Sequence, residues 1–160
     1  EQFASVKFYI FGSADEDEEY YEECLQLVQA LALEKEVSFM GNVNLKDHIG
    51  SMDMFVLSSI SEGMPLAILE GFAAGKPFIS TDVGCCKELI YGYDDEYGHA
   101  GFVLPIMHYE EIGEAILTLC KNESIRLEMG KRGQKRVQAH YTRERVVEGY
   151  KSIYNRTGSV

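Results

Sequence analysis

Residues 52–82 read MDMFVLSSISEGMPLAILEGFAAGKPFISTD, and this stretch decides the fold. Its first segment, 52–59, is apolar at its centre, as a strand covered on both faces would be, and its last segment, 76–82, is a second strand. Between them, Pro65 suits the first position of a helix that continues through apolar and small residues. A strand, a helix and a strand in this order predict a parallel β-α-β unit.

The rest of the chain continues this alternation of strands and helices. Further strands are predicted at 5–11, 36–41 and 100–105, and further helical segments at 15–33, 44–50, 83–90, 109–121, 123–139 and 142–155. We therefore expect a single α/β domain over residues 1–160, with a Rossmann-like, mostly parallel sheet and helices on both faces. The Gly12-Ser13-Ala14 turn lacks the GxGxxG pattern, which disfavours a dehydrogenase.

The composition narrows the possible partners. The net charge of -11 argues against nucleic acid, which needs clustered Lys and Arg side chains. The acids concentrate at 15–19 and 94–96 without histidines that would favour a metal site, so we interpret both groups as solvated. The four cysteines show no CxxC spacing, which predicts free thiols and a cytoplasmic location. No apolar run approaches the roughly 18 residues of a membrane-spanning helix.

Two carboxylates flank the Gly-x-Pro turn, Glu62 in the loop and Glu70 within the predicted helix. Ligands of open α/β sheets bind at the carboxyl ends of the strands, which is where this loop lies. Helical side chains lean toward the N-terminus of their helix, so Glu70 is expected to reach back to the mouth of the same pocket.

The start of the predicted helix offers hydrogen-bond donors for an anion. Backbone amides without intrahelical acceptors are expected at Leu66, Ala67 and Ile68, at the positive end of the helix dipole. Gly63 lets a ligand approach the backbone closely. Donors for a phosphate beside two acceptors for hydroxyls suit a nucleotide sugar. Two solvated acids near a helix start explain the same residues equally well.

Residues 61–90, SEGMPLAILEGFAAGKPFISTDVGCCKELI, resemble the signature of the retaining glycosyltransferase family 4, whose members have the GT-B fold. That signature contains two glutamates separated by seven residues, which Glu62 and Glu70 match. The resemblance extends over residues 5–155 and implies the C-terminal, nucleotide-sugar-binding half of such an enzyme.

Other parts of the signature are matched with one departure. Gly84 and Glu88 correspond to the glycine and the glutamate of the loop that follows the next strand, but Cys85 stands where the family has a second glycine. The segments 37–43 and 97–103 match two further elements, the second of them loosely.

The resemblance implies a role for each matched residue. Glu62 would contact the hydroxyls of the donor sugar at the reacting end, and Glu70 would accept hydrogen bonds from the ribose hydroxyls. The other donor-binding residues that it implies are Gly63, Met64 and Pro65 near the sugar, Leu66 and Ala67 at the diphosphate, Gly41, Asn42 and Val43 at the base, and Gly84 in the following loop. Transfer in this family needs no metal ion or other cofactor, because a helix N-terminus and basic side chains stabilise the leaving diphosphate.

The resemblance also implies a partner within the same enzyme. An Arg and a Lys of the phosphate clamp, and a separate acceptor-binding domain, are expected upstream of residue 5, so the chain by itself is expected to be inactive. The segment DVGCCKELIYG, 82–92, resembles the branch that makes Pel-type exopolysaccharide, with a UDP-sugar, UDP-glucose, as the expected donor. The alternatives are half of a GT-B-type epimerase or phosphorylase, and a non-catalytic Rossmann-like interaction module that binds no nucleotide.

Overall fold

The structure is a computed structural model that describes residues 6–15, 17–93 and 95–157. Its contacts divide the chain into two compact units, Glu1–His48 and Ile49–Val160. Every strand pair in both units is parallel, and helices connect the strands, so the predicted α/β class is confirmed. Ser5, the first residue of the first predicted strand, lies outside the described residues.

The first unit contains one parallel strand pair and one long helix. Its elements are β1 (Phe8–Phe11), α1 (Glu18–Ala30) and β2 (Val37–Gly41), followed by a 3₁₀ turn at Leu45–Asp47. Phe8 lies opposite Val37 in the pairing of β1 with β2. The Asp17 side chain accepts a hydrogen bond from the amide of Tyr20 at 2.9 Å, which caps α1 at its N-terminus.

The second unit contains a three-stranded parallel sheet in the order β3-β4-β5. After a 3₁₀ turn at Ile49–Ser51, its elements are β3 (Phe55–Leu57), α2 (Leu66–Ala73), β4 (Phe78–Thr81), α3 (Cys86–Tyr91), β5 (Gly101–Leu104), α4 (Tyr109–Lys121), α5 (Glu123–His140) and α6 (Arg143–Thr157). The predicted order of strands and helices is therefore confirmed, with boundaries that differ by a few residues.

The core of this unit forms on both faces of the central strand, β4, whose four residues are all buried. Phe78 packs in a cluster with Phe72 of α2, and its neighbour Ile79 packs on the opposite face with Leu119 of α4. The prediction that the strand at 52–59 is covered on both faces is wrong. Val56 in β3 is 40% exposed, because β3 is the edge strand of this sheet and β4 is the central one.

A buried ion pair joins α5 to the end of α3. The Arg136 side chain, 1% exposed, contacts the carboxylate of Asp95 through two nitrogens, at 2.5 and 2.9 Å. The same guanidinium donates to the carbonyl oxygens of Leu89, Ile90 and Gly98, two of which lie in α3. The hydrogen bonds that the Asp95 carboxylate accepts from Arg136 hold the pKa of Asp95 below its ordinary value. Arg136 therefore provides donors for carbonyls at the end of α3, and the Ile90 carbonyl also accepts from the Ala100 amide at 2.8 Å.

Gly130 allows α5 to pack directly against the backbone that follows α2. A Cβ atom at this position would lie 1.9 Å from the carbonyl oxygen of Gly75, closer than atoms can approach. Gly113 in α4 is also a helical glycine, but a Cβ atom there would meet nothing within 4 Å. The two glycines thus differ in what lies beside them.

We expect Gly130→Ala and Gly113→Ala to change stability in opposite directions. Alanine in a helix is favoured over glycine by about 1 kcal/mol, so Gly113→Ala is expected to stabilise the chain. Gly130→Ala is expected to destabilise it by about 2 kcal/mol, because α5 must move away from Gly75. Urea unfolding of the two variants measures both effects. Equal midpoints would contradict the close approach of α5 to residue 75.

Candidate functional site

The loop between β3 and α2 carries Glu62, and its side chain is held in place by a neighbour in the same loop. The hydroxyl of Ser59 donates to Oε1 of Glu62 at 2.7 Å. Glu62 is half-buried. The loop follows β3 at the carboxyl end of the sheet, which is the end where ligands of α/β sheets bind.

The buried end of β4 supports this loop. Thr81, 1% exposed, donates its hydroxyl hydrogen to the carbonyl oxygen of Ser59 at 2.5 Å. Because β3 and β4 are parallel neighbours, the segments that follow them leave the sheet side by side. Thr81 therefore ties the loop of Glu62 to the central strand.

The segment after β4 packs against the same loop through its backbone. The Cys85 amide donates to the carbonyl oxygen of Gly63 at 3.1 Å. Gly84 has a φ of +52°, and a Cβ atom there would lie 2.3 Å from the carbonyl oxygen of Glu62 and 2.4 Å from that of Gly63. Only glycine suits both this conformation and this contact. In the structure Gly84 thus lies against the loop that carries Glu62.

The start of α2 differs from the prediction. Pro65 has a ψ of 113° and precedes the helix as its N-cap residue, so Leu66 and not Pro65 is the first helical residue. The Ile68 amide, predicted to be free, donates to the carbonyl oxygen of Pro65 at 3.2 Å, because the first turn is tight. Among the described residues, no side chain caps this helix. The amides of Leu66 and Ala67 therefore remain available to an anion at its N-terminus.

Glu70 lies in the second turn of α2, half-buried, four residues after Leu66. A rise of 1.5 Å per residue places its Cα about 6 Å along the helix axis from that of Leu66. Met64 and Leu66 are exposed beside the helix start, at 54% and 64%. Of the predicted residues in this stretch, Gly63, Met64 and Leu66 are exposed, Glu62, Ala67 and Glu70 are half-buried, and Pro65 is buried.

Gly41, Asn42 and Val43 lie in the first unit, at the end of β2. Gly41 has a φ of +68°, and a Cβ atom there would meet nothing within 4 Å. Asn42 and Val43 are exposed. The three residues form an accessible turn, and their contact with a base stays a prediction.

Comparisons with known proteins show the family of this chain. The chain matches the family described as "Glycosyl transferases group 1" over residues 1–122. It is 30% identical over 131 residues to an N-acetyl-alpha-D-glucosaminyl L-malate synthase of Bacillus anthracis, an alignment that covers 81% of this chain and 33% of that protein. The chain belongs to the group 1 glycosyl transferase family.

Solved structures show the same fold. Anabaena Alr3699/HepE in complex with UDP-glucose superposes with a TM-score of 0.81 at 21% identity, covering 97% of this chain and 41% of that one. The C-terminal domain of a glycosyl transferase group 1 family protein (LpcC) from Francisella tularensis superposes with a TM-score of 0.71 at 19% identity, covering 87% and 88%. The fold is thus that of the C-terminal domain of GT-B glycosyltransferases. The chain spans about a third of the length of the Bacillus relative.

Cys85 stands where the signature that the chain resembles has a second glycine. Burial raises the pKa of its thiol, and the neighbouring Cys86 and Glu88 act in the same direction. A raised pKa keeps a thiol protonated and therefore poorly nucleophilic. Cys86 is buried in the core cluster of α2 and α3. Both environments favour a packing role for these two cysteines.

Within the part of the chain that the structure describes, no three His, Cys, Asp or Glu side chains are grouped as a metal site. None of the described helices is long and apolar enough to cross a membrane.

Sequence reasoning missed Ser59 and Thr81. Ser59 precedes Glu62 by three residues, and this S-x-x-E spacing is a local signal for a hydroxyl that bonds to the acid. Thr81 carries no such signal, since its partner lies 22 residues away in the chain.

Proposed function

We propose that this chain is the donor-binding domain of a retaining glycosyltransferase, and that it binds a UDP-sugar at the N-terminus of α2. The observation that carries this proposal is that a helix with two uncapped backbone amides, at Leu66 and Ala67, begins directly after the loop that holds the supported carboxylate of Glu62. The amides provide donors for phosphate oxygens, and the carboxylate provides acceptors for sugar hydroxyls. Family membership and the UDP-glucose complex of the Anabaena neighbour support the same choice of ligand.

The proposed arrangement places the diphosphate, the ribose and the sugar of the donor at different residues of the site. The diphosphate lies at the amides of Leu66 and Ala67, where the helix dipole favours negative charge. Glu70 accepts hydrogen bonds from the ribose hydroxyls, and Glu62 accepts them from the sugar. When the bond to the sugar breaks, negative charge grows on the diphosphate, and the same amides stabilise it. Glu62 thus keeps the reacting carbon beside the leaving group.

The acceptor and the rest of the enzyme belong to the proposal as well. The alignment covers only 33% of the Bacillus relative, so transfer is expected to require an acceptor-binding domain in addition to this one. The similarity of residues 82–92 to the Pel branch favours UDP-glucose as the donor and a growing exopolysaccharide as the acceptor. Residues 1–160 then act as one donor-binding domain, and its expected compartment is the cytoplasm.

We expect Glu70→Gln to weaken UDP binding about tenfold, because a hydrogen bond to a charged group contributes more than one to a neutral amide. Isothermal titration calorimetry with UDP, UDP-glucose and GDP measures the affinities and also tests the choice of base. A 2′,3′-dideoxy analogue of UDP lacks the ribose hydroxyls. The unaltered chain and the Glu70→Gln chain are therefore expected to bind it with the same affinity.

Glu114→Gln is the matched control, since Glu114 is an exposed helical glutamate of α4. It is expected to leave all affinities unchanged. Equal UDP binding by the Glu70→Gln chain and the unaltered chain would refute the ribose role. Absence of binding to any nucleotide by the unaltered chain would favour an interaction module instead.

A further inference from the structure

Ser59 has no role in the proposed donor contacts, yet its hydroxyl is bonded to the carboxylate that makes one of them. The hydrogen bond from Ser59 Oγ to Glu62 Oε1 is 2.7 Å long and partly buried. An ionised carboxylate has about four acceptor sites on its two oxygens. One bond from Ser59 therefore orients the carboxylate and occupies only one of these acceptor sites.

Ser59 is itself fixed to the sheet. Its carbonyl oxygen accepts a hydrogen bond from the buried hydroxyl of Thr81, the last residue of β4. A loop residue without such a support would move with the loop, and its hydroxyl would not define a position. The chain of contacts from β4 through Thr81 and Ser59 therefore ends at the Glu62 carboxylate.

The backbone on the other side of Glu62 is fixed independently. The Gly63 carbonyl accepts a hydrogen bond from the Cys85 amide, and Gly84 leaves no space beside it. Both neighbouring parts of the loop are thus held, and the remaining freedom of Glu62 is in its side-chain torsions. The Ser59 hydroxyl restricts those torsions, which reduces the entropy lost when a ligand binds.

We propose that Ser59 is a positioning residue that pre-orients Glu62 toward the sugar of the donor and so lets the domain distinguish a UDP-sugar from UDP. The inference rests on the proposed function, because it takes Glu62 as the sugar contact. Ser59 touches Glu62 and not the ligand, so its effect appears only with ligands that carry the sugar.

Ser59→Ala is expected to weaken UDP-glucose binding about fivefold and to leave UDP binding unchanged, because one hydrogen bond to the carboxylate is lost. Calorimetry on the 160-residue chain measures both affinities. Ser59→Thr keeps the hydroxyl and is expected to restore most of the UDP-glucose affinity. Ser61→Ala removes an exposed hydroxyl two residues away and serves as the matched control.

A double-mutant cycle separates positioning from a general effect on the loop. In a Glu62→Ala background, Ser59 has no carboxylate to orient, so Ser59→Ala is expected to cause no further loss of UDP-glucose affinity. A merely structural role for Ser59 would instead weaken UDP and UDP-glucose equally, and would do so in both backgrounds.

The outcomes distinguish the inference from the proposed function. If the unaltered chain binds UDP-glucose and Ser59→Ala binds it equally well, the inference is overturned and the proposed function stands. If the unaltered chain binds neither UDP nor UDP-glucose, the proposed function is overturned, and the inference with it.

Discussion

Arg136→Met is expected to destabilise the second unit by about 3–5 kcal/mol, since it removes one partner of a buried ion pair and leaves the other uncompensated. Asp95 would remain 4% exposed without its cation. The carbonyl oxygens of Leu89 and Ile90 would each lose a hydrogen bond, and that of Ile90 would keep the one from the Ala100 amide. Methionine fills a similar volume, so the loss reports on charge and hydrogen bonds more than on packing. Urea unfolding followed by circular dichroism measures the change.

Arg132→Met is the matched control, because Arg132 lies on the same helix and pairs with Glu128 at the surface, where its side chain is 35% exposed. Exposed ion pairs contribute little, so a change within about 1 kcal/mol is expected. Losses of equal size in the two variants would contradict a special role for the buried pair.

The effect of Arg136→Met is also expected to depend on pH in one direction. The pKa of Asp95 is lowered in the folded chain, mainly by its hydrogen bonds to Arg136. A lowered pKa contributes stability that is complete above the unfolded value of about 3.9 and is lost as the pH falls through the folded value. The difference between the unaltered and Arg136→Met chains is therefore expected to be largest near neutral pH and to shrink below about pH 4.

Gly84→Ala is expected to weaken UDP-glucose binding about thirtyfold, which corresponds to about 2 kcal/mol. The new Cβ atom would lie 2.3 and 2.4 Å from the carbonyl oxygens of Glu62 and Gly63. Both are backbone atoms, so the loop itself must move and take the Glu62 carboxylate with it. Alanine is also strained at a φ of +52°. Titration calorimetry with UDP-glucose measures the loss.

Gly75→Ala separates backbone strain from displacement of the loop. Gly75 has a φ of +71°, but a Cβ atom there would meet only the Gln134 side chain, at 3.7 Å. The Gly75→Ala chain is therefore expected to be less stable, by about 1 kcal/mol, and to bind UDP-glucose as the unaltered chain does. If both variants bind equally well, the contact of Gly84 does not position the loop.

The arrangement of the candidate site around α2 was predictable because its residues are close in sequence. Glu62 and Glu70 lie eight positions apart, and a helix between them leaves few arrangements for the backbone. The start of α2 was less predictable. Whether Pro65 is the first helical residue or precedes the helix depends on its ψ angle, which the loop sets and the ring of proline does not.

The fold followed from patterns that the chain carries locally, whereas burial required the assembled sheet. Apolar runs and turn residues determined the order of strands and helices. They did not show that β4 rather than β3 is central, because the neighbours of a strand come from distant parts of the chain.

The sequence by itself determined the α/β order, the two acids of the Glu62 and Glu70 motif and the family to which they belong. Only the tertiary structure decided how Glu62 is held, because Thr81 and Gly84 reach its loop from 19 and 22 positions further along the chain. The same holds for Arg136, whose partner Asp95 is 41 residues away. Contacts of this kind depend on which strands and helices lie side by side. The local periodicity of the sequence does not specify which elements become neighbours.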